Sequence, residues 1–136
     1  MNTHFMGTGP RGRAATTANV VHKTGDGFTF LERPQFPAFF AADVAGTQSV
    51  FEAQSQILTA AAVFTGQITT AAWRSKPSWM MVAGADKIIN PELERWYARR
   101  ANSRTVEVAG ASHSVYRTHP KEVAAMIEDA AQSSHK

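Results

Sequence analysis

A chain of 136 residues, 43% hydrophobic and 18% charged, has the size and composition of one soluble globular domain, which at this length buries roughly two-thirds of the surface its unfolded chain exposes. The net charge of +3 is spread along the sequence and forms no basic stripe, and the absence of cysteine excludes disulfides, thiolate metal sites and a cysteine nucleophile. No apolar run approaches the about 18 residues of a membrane span, and the N-terminus has no apolar signal core, so the expectation is a cytoplasmic protein that engages neither nucleic acid nor membrane.

Residues 1–24 read as a flexible leader, with Gly7, Gly9, Pro10 and Gly12 among threonines and alanines. Gly7, Gly9 and Gly12 satisfy G-x-G-x-x-G, the phosphate-cradling pattern. No strand precedes them, however, and Pro10 with the polar run behind it makes a poor helix start, so the context that would give the pattern meaning is absent. Gly25, Asp26 and Gly27 mark a turn before a short extended piece at 28–31, and Phe36, Phe39 and Phe40 then cluster ahead of Asp43. Such a cluster reads first as core. Ser49 with Glu52 three residues on has the form of a capping box, and Val50, Ala53, Ile57, Ala60 and Ala61 recur at helical spacing until Gly66, which predicts a helix over that stretch.

The most informative stretch is 76–119. Pro77 opens it, and residues 78–83 are apolar without alternation, as expected for a strand of a parallel sheet covered on both faces. Gly84 ends the strand and Asp86 follows, on the side of an open α/β sheet where ligands and catalytic groups gather. Asn90 as cap, Pro91 at the first helical position, Glu92 and Glu94 early and Arg99 and Arg100 late predict a helix, with Leu93, Trp96 and Tyr97 as its buried stripe. Thr105, Val106 and Val108 predict a second strand, and His113 lies just beyond it. A last helix begins at Pro120, with Val123, Ala124, Ile127, Ala130 and Ala131 as its buried face.

A strand followed by Gly84 and Asp86, a helix started by Asn90 and Pro91, the run Val106 to His113 (VEVAGASH) and a closing helix resemble the C-terminal segment of an α/β-hydrolase. The resemblance extends over about residues 27–131. It implies an α/β fold class: a partial α/β-hydrolase fold with the last parallel strands and their flanking helices at 73–136, preceded by a helical cap segment at 25–72. The family orders its catalytic residues as nucleophile, acid, histidine. Asp86 and His113 then stand as acid and base, and the phenylalanines at 36, 39 and 40 fall in the region that caps the active site. The nucleophile has no counterpart, because no G-x-S-x-G occurs in the sequence. The expected function is therefore an esterase-like fragment for a small carbonyl substrate, inactive alone, with neither metal nor organic cofactor.

Without the resemblance, Asp86 reads equally as a turn-capping carboxylate and His113 as an ordinary loop histidine. Ser112 and Ser114 flank His113 on its own loop, where a nucleophile elbow does not form. Metal binding by Asp86, His113 and His119 is disfavoured, since the histidine spacing matches no helix-face pair. Two short parallel strands would also leave a sheet edge and face open, so the partners expected besides substrate are a complementing chain or a second copy. The alternative function is a non-catalytic remnant or interaction module that associates through that open edge.

Overall fold

The computed structural model of the protein describes residues 20–133. The Gly7–Gly12 pattern and most of the expected leader lie outside them. Structure begins earlier than the composition suggests: Val20 is buried, and β1 (Val21–Lys23) pairs antiparallel with β2 (Phe28–Leu31) in the register Val21↔Leu31 and Lys23↔Thr29. The turn between them works because Gly27 takes φ 92, a left-handed conformation, and because Thr24 Oγ1 accepts the Phe28 amide at 2.9 Å.

Two short helices follow, α1 (Phe36–Phe39) and α2 (Gly46–Gln54). Phe36, Ala41 and Ala53 form their shared core, with Leu31, Phe40 and Val44 packed on it and the Phe36 and Phe40 rings stacked at 4.7 Å. The helix expected from Ser49 onward is displaced. It starts after Ala45, so Ser49 is an interior residue whose hydroxyl donates to Gly46 O, and Glu52 engages Gln48 and Arg117 rather than closing a capping box. It also stops early. The Gln56 side chain accepts the Leu31 amide and donates to Leu31 O, both at 2.9 Å, extending the β2 ladder and drawing the chain into β3 (Thr59–Ala60), which pairs with β2. Tertiary pairing thus overrides the helical period. The segment 25–72 is consequently not simply helical: it contributes β2 and β3 of a three-stranded antiparallel sheet, completed by β1, together with two helices and a 3-10 turn at Ala61–Phe64.

The second half is a parallel strand–helix–strand unit. β4 (Trp79–Ala83) and β5 (Arg104–Val108) pair from Trp79↔Arg104 to Ala83↔Val108. Between them, α3 (Pro91–Arg100) begins with the Asn90 side chain accepting the Glu92 amide at 2.9 Å and ends at Asn102, held at φ 50 where the Ser103 amide returns to Ala98 O. Its innermost residues are Glu94 and Ala98, one turn apart; Leu93, Trp96 and Tyr97 are half-buried. The small Ala98 lets the helix settle on the sheet, rotating the stripe away from the large side chains.

α4 (Val115–Thr118) is one turn, and α5 (Pro120–Ser133) closes the chain. Burial is concentrated at the carboxyl ends of the strands: Val82, Ala83, Val108 and Ala111 are buried, whereas residues 79–81 are half-buried and Val106 is 43% exposed. No residue of α5 is fully buried either: of the expected face Val123 and Ala130 are half-buried, whereas Ala124, Ile127 and Ala131 are exposed. The overall class is α/β, with an open parallel pair flanked by helices and an antiparallel and helical segment before it.

Candidate functional site

The site forms where β4 and β5 end. Gly84 passes so close to the other strand's exit that a Cβ there would lie 3.1 Å from Val108 O and 3.2 Å from the Ala109 Cα. Its amide donates to Val108 O at 2.9 Å and that of Ala85 to Ala111 O at 2.9 Å, joining the two exit loops. The residues after each strand are therefore delivered side by side.

Asp86 is 6% exposed, and its two oxygens do different jobs. Oδ1 accepts the amides of Ile88 at 2.6 Å and Ile89 at 3.0 Å; Oδ2 lies 2.7 Å from His113 Nδ1. The two readings open for Asp86 from sequence are thus compatible: one oxygen caps the turn and the other holds the imidazole. With Asp86 as acceptor, Nδ1 carries the ring proton and the neutral lone pair sits on Nε2. The histidine side chain is 27% exposed, so the pair has a buried end and an accessible one. The Phe40 ring meets the imidazole edge-on at 4.6 Å, which makes Phe40 the link between the α1–α2 core and His113.

The His113 loop is tied down on both sides of the ring. Phe40 O accepts the Ser114 amide at 3.0 Å and the Ser112 hydroxyl at 3.2 Å, and Ser112 Oγ also reaches Asp43 Oδ1. Asp43 Oδ2 accepts from Thr118 at 2.8 Å. Partial burial pushes the Asp43 carboxyl up, but the hydrogen bonds from Ser112 and Thr118 outweigh it and hold the group below its ordinary value. Both serines are buried, but they differ: the Ser112 hydroxyl is taken up by Phe40 O and Asp43, whereas Ser114 is held by its backbone amide and its Oγ has no hydrogen-bond partner among the described residues. His119 turns to Thr118, with Nδ1 2.9 Å from Oγ1. Asp86, His113 and His119 therefore do not converge, and no group of three or more metal-ligating side chains occurs among the described residues.

Glu94, which in the sequence reads only as an acid near a helix start, lies beside this pair of exit loops. It is 7% exposed and accepts the Ala83 amide through Oε2 at 3.1 Å. Burial pushes its carboxyl up to about 7, and the neighbouring Asp86 charge and contact with the Asp86 side chain add to the rise, against the opposing Ala83 bond and the His113 ring. One signal was present: Glu94 shares its helix face with Ala98, the small residue against which the sheet packs.

A buried carboxylate on one ring nitrogen of a half-open histidine can orient that ring, fix its tautomer and stabilise the imidazolium, leaving Nε2 to take a proton from a hydroxyl or water. A family model described as the alpha/beta hydrolase family matches residues 4–126. No curated protein matches the chain.

Proposed function

The chain belongs to the α/β-hydrolase family, and from that premise we propose that it supplies the acid, Asp86, and the base, His113, of a nucleophile–acid–histidine triad acting on a small ester or similar carbonyl substrate. The observation that carries this reading is the 2.7 Å contact between buried Asp86 Oδ2 and His113 Nδ1, made from two adjacent strand ends in the family's order of acid and then histidine. The nucleophile comes from outside these residues, since the sequence holds no G-x-S-x-G, and the chain is inactive by itself. The body of the enzyme is 73–136, and 25–72 serves as the cap, with Phe40 pressing on the base.

In this mechanism His113 Nε2 takes the proton of the nucleophile's hydroxyl as its oxygen bonds to the substrate carbonyl carbon. Asp86 stabilises the resulting imidazolium. As the tetrahedral adduct collapses, the bond to the leaving alkoxide breaks and Nε2 returns the proton to it, leaving an acyl-enzyme. Water then attacks the acyl carbon, again giving its proton to Nε2. The carboxylic acid leaves as the nucleophile recovers its proton. No metal or organic cofactor takes part in these steps.

The test is turnover of short-chain p-nitrophenyl esters by the chain alone and by the chain combined with the polypeptide encoded immediately upstream. Activity only in the combination, abolished by His113→Ala with folding intact, supports the reading; activity that survives His113→Ala overturns it. A second reading, a non-catalytic module that binds a partner or another copy, draws on the open surface of β5 and α5, where Val106 and Ile127 are exposed. Absence of turnover in both preparations would favour it.

A further inference from the structure

At the end of the β4–β5 pair opposite Asp86 and His113, the structure gathers side chains that the mechanism does not use. A cavity of about 640 Å³ opens between the turn at Ala72–Arg74, the start of β4 and the α3–β5 connection. Its walls carry Arg74, Lys76 and Arg104 and no acidic side chain, and its size is that of a small-molecule site. Aromatic rings hold these cations close together. The Arg74 and Arg100 guanidiniums lie 5.3 and 5.2 Å from the centre of the Trp73 ring, Arg100 also lies 5.3 Å from that of Trp96, and Arg104 lies 5.4 Å from that of Trp79. A guanidinium held against a ring interacts through its charge and keeps its N–H fork for other partners. Among the described residues the side chains of Arg74, Lys76 and Arg100 make no hydrogen bond or ion pair, and Arg104 uses only Nη1, on Asp129 and Ser133. The Asn102 side-chain amide, on the same wall, is unpaired as well. The carbonyls that end α3 do not oppose an anion here, since those of Tyr97, Ala98 and Arg99 accept the amides of Ala101, Ser103 and Asn102.

We propose that this cavity binds a small organic phosphate, at a site separate from the Asp86–His113 pair. Cations and an amide that converge without a counter-charge call for an anion with several acceptor oxygens. A phosphate group brings three such oxygens and roughly two charges, enough to engage the Arg74 and Arg104 forks and the Lys76 ammonium together. A carboxylate has two oxygens in one plane and satisfies a single fork. Any one exposed ion pair contributes little, so the affinity comes from the convergence. Trp73 and Pro77 in the wall offer apolar contact to the carbon skeleton that carries the group. A nucleic-acid strand is the poorer fit, because its phosphates follow a basic groove and these cations border one cavity.

The experiment is calorimetric titration of the whole chain with inorganic pyrophosphate at constant ionic strength, together with amide and indole proton–nitrogen spectra. The unchanged chain is compared with Arg74→Gln combined with Lys76→Gln, and with Arg33→Gln combined with Lys121→Gln, which removes the same charge outside the cavity. All four side chains are exposed, so the substitutions disturb no core. The unchanged chain should bind saturably, with spectral shifts centred on Trp73, Asn102 and Ser103. Loss of the Arg74 and Lys76 cations should weaken binding about tenfold or more, and loss of Arg33 and Lys121 should leave it nearly unchanged. Absence of saturable binding overturns the proposal, as does equal weakening by the two pairs of substitutions, which would mean attraction to net charge alone. Shifts confined to the His113 loop overturn it too, whatever the variants do. None of these readouts involves ester turnover, so the Asp86–His113 assignment stands or falls separately.

Discussion

Replacing Glu94 with glutamine should change how the stability of this chain depends on pH, in a calculable direction. The Glu94 carboxyl has an ordinary value of 4.5 and is raised to about 7 in the folded protein. A group raised by folding contributes its full stability below its unfolded value and loses it as pH climbs through the folded one. At about 1.4 kcal/mol per pH unit the whole effect is roughly 3 kcal/mol, of which about 2.5 kcal/mol falls between about pH 5 and about pH 8. Glutamine carries no proton to lose. Urea denaturation of both proteins across that range should therefore show the unchanged chain losing about 2.5 kcal/mol relative to Glu94→Gln as pH rises. Titrating groups distant from Glu94 cancel in the comparison. A difference that stays flat, or grows in favour of the unchanged chain, would refute the burial argument for Glu94.

Further substitutions test the elements that build the site. Gly84→Ala places a Cβ 3.1 Å from Val108 O, where only backbone can give way, and should destabilise the chain by roughly 1–3 kcal/mol in the same urea experiment. Asn90→Ala removes the cap on the Glu92 amide and should lower stability by about 1 kcal/mol while leaving the His113 resonances in place. Asp43→Ala releases Ser112 and Thr118 together, so amide exchange should accelerate through residues 111–118 and leave β4 and α3 protected.

The parts of this fold that could be read from sequence are those held by local signals. Pro77, Gly84 and Gly110 punctuate the two parallel strands, Asn90 and Pro91 start α3, and Pro120 starts α5, so Asp86 and His113 could be placed at strand ends before any geometry was known. What could not be read depended on distant partners. The helical period running past Ser55 is broken by Gln56 bonding to Leu31, 25 residues away, and nothing near Gln56 announces that pairing. Val20 and β1 looked like leader because their order comes from pairing with β2. Glu94 was hidden for a related reason: at the sequence level it is one of two acids that favour a helix start, and only the packing of Ala98 against the sheet turns it inward. α5 shows the reverse case, an amphipathic pattern that is correct as a pattern but only partly covered: Val123, Met126 and Ala130 are half-buried while Ile127 is exposed.

If Asp86 holds His113 as a base with its outer nitrogen free, the ring proton sits on Nδ1, and its position can be read without turnover. Nitrogen chemical shifts of His113 in the unchanged chain distinguish the two tautomers without any substrate or second polypeptide. The proton is expected on Nδ1, facing Asp86 Oδ2, with a bare Nε2. A proton on Nε2 would contradict it, because that ring could neither donate to Asp86 nor accept from a nucleophile.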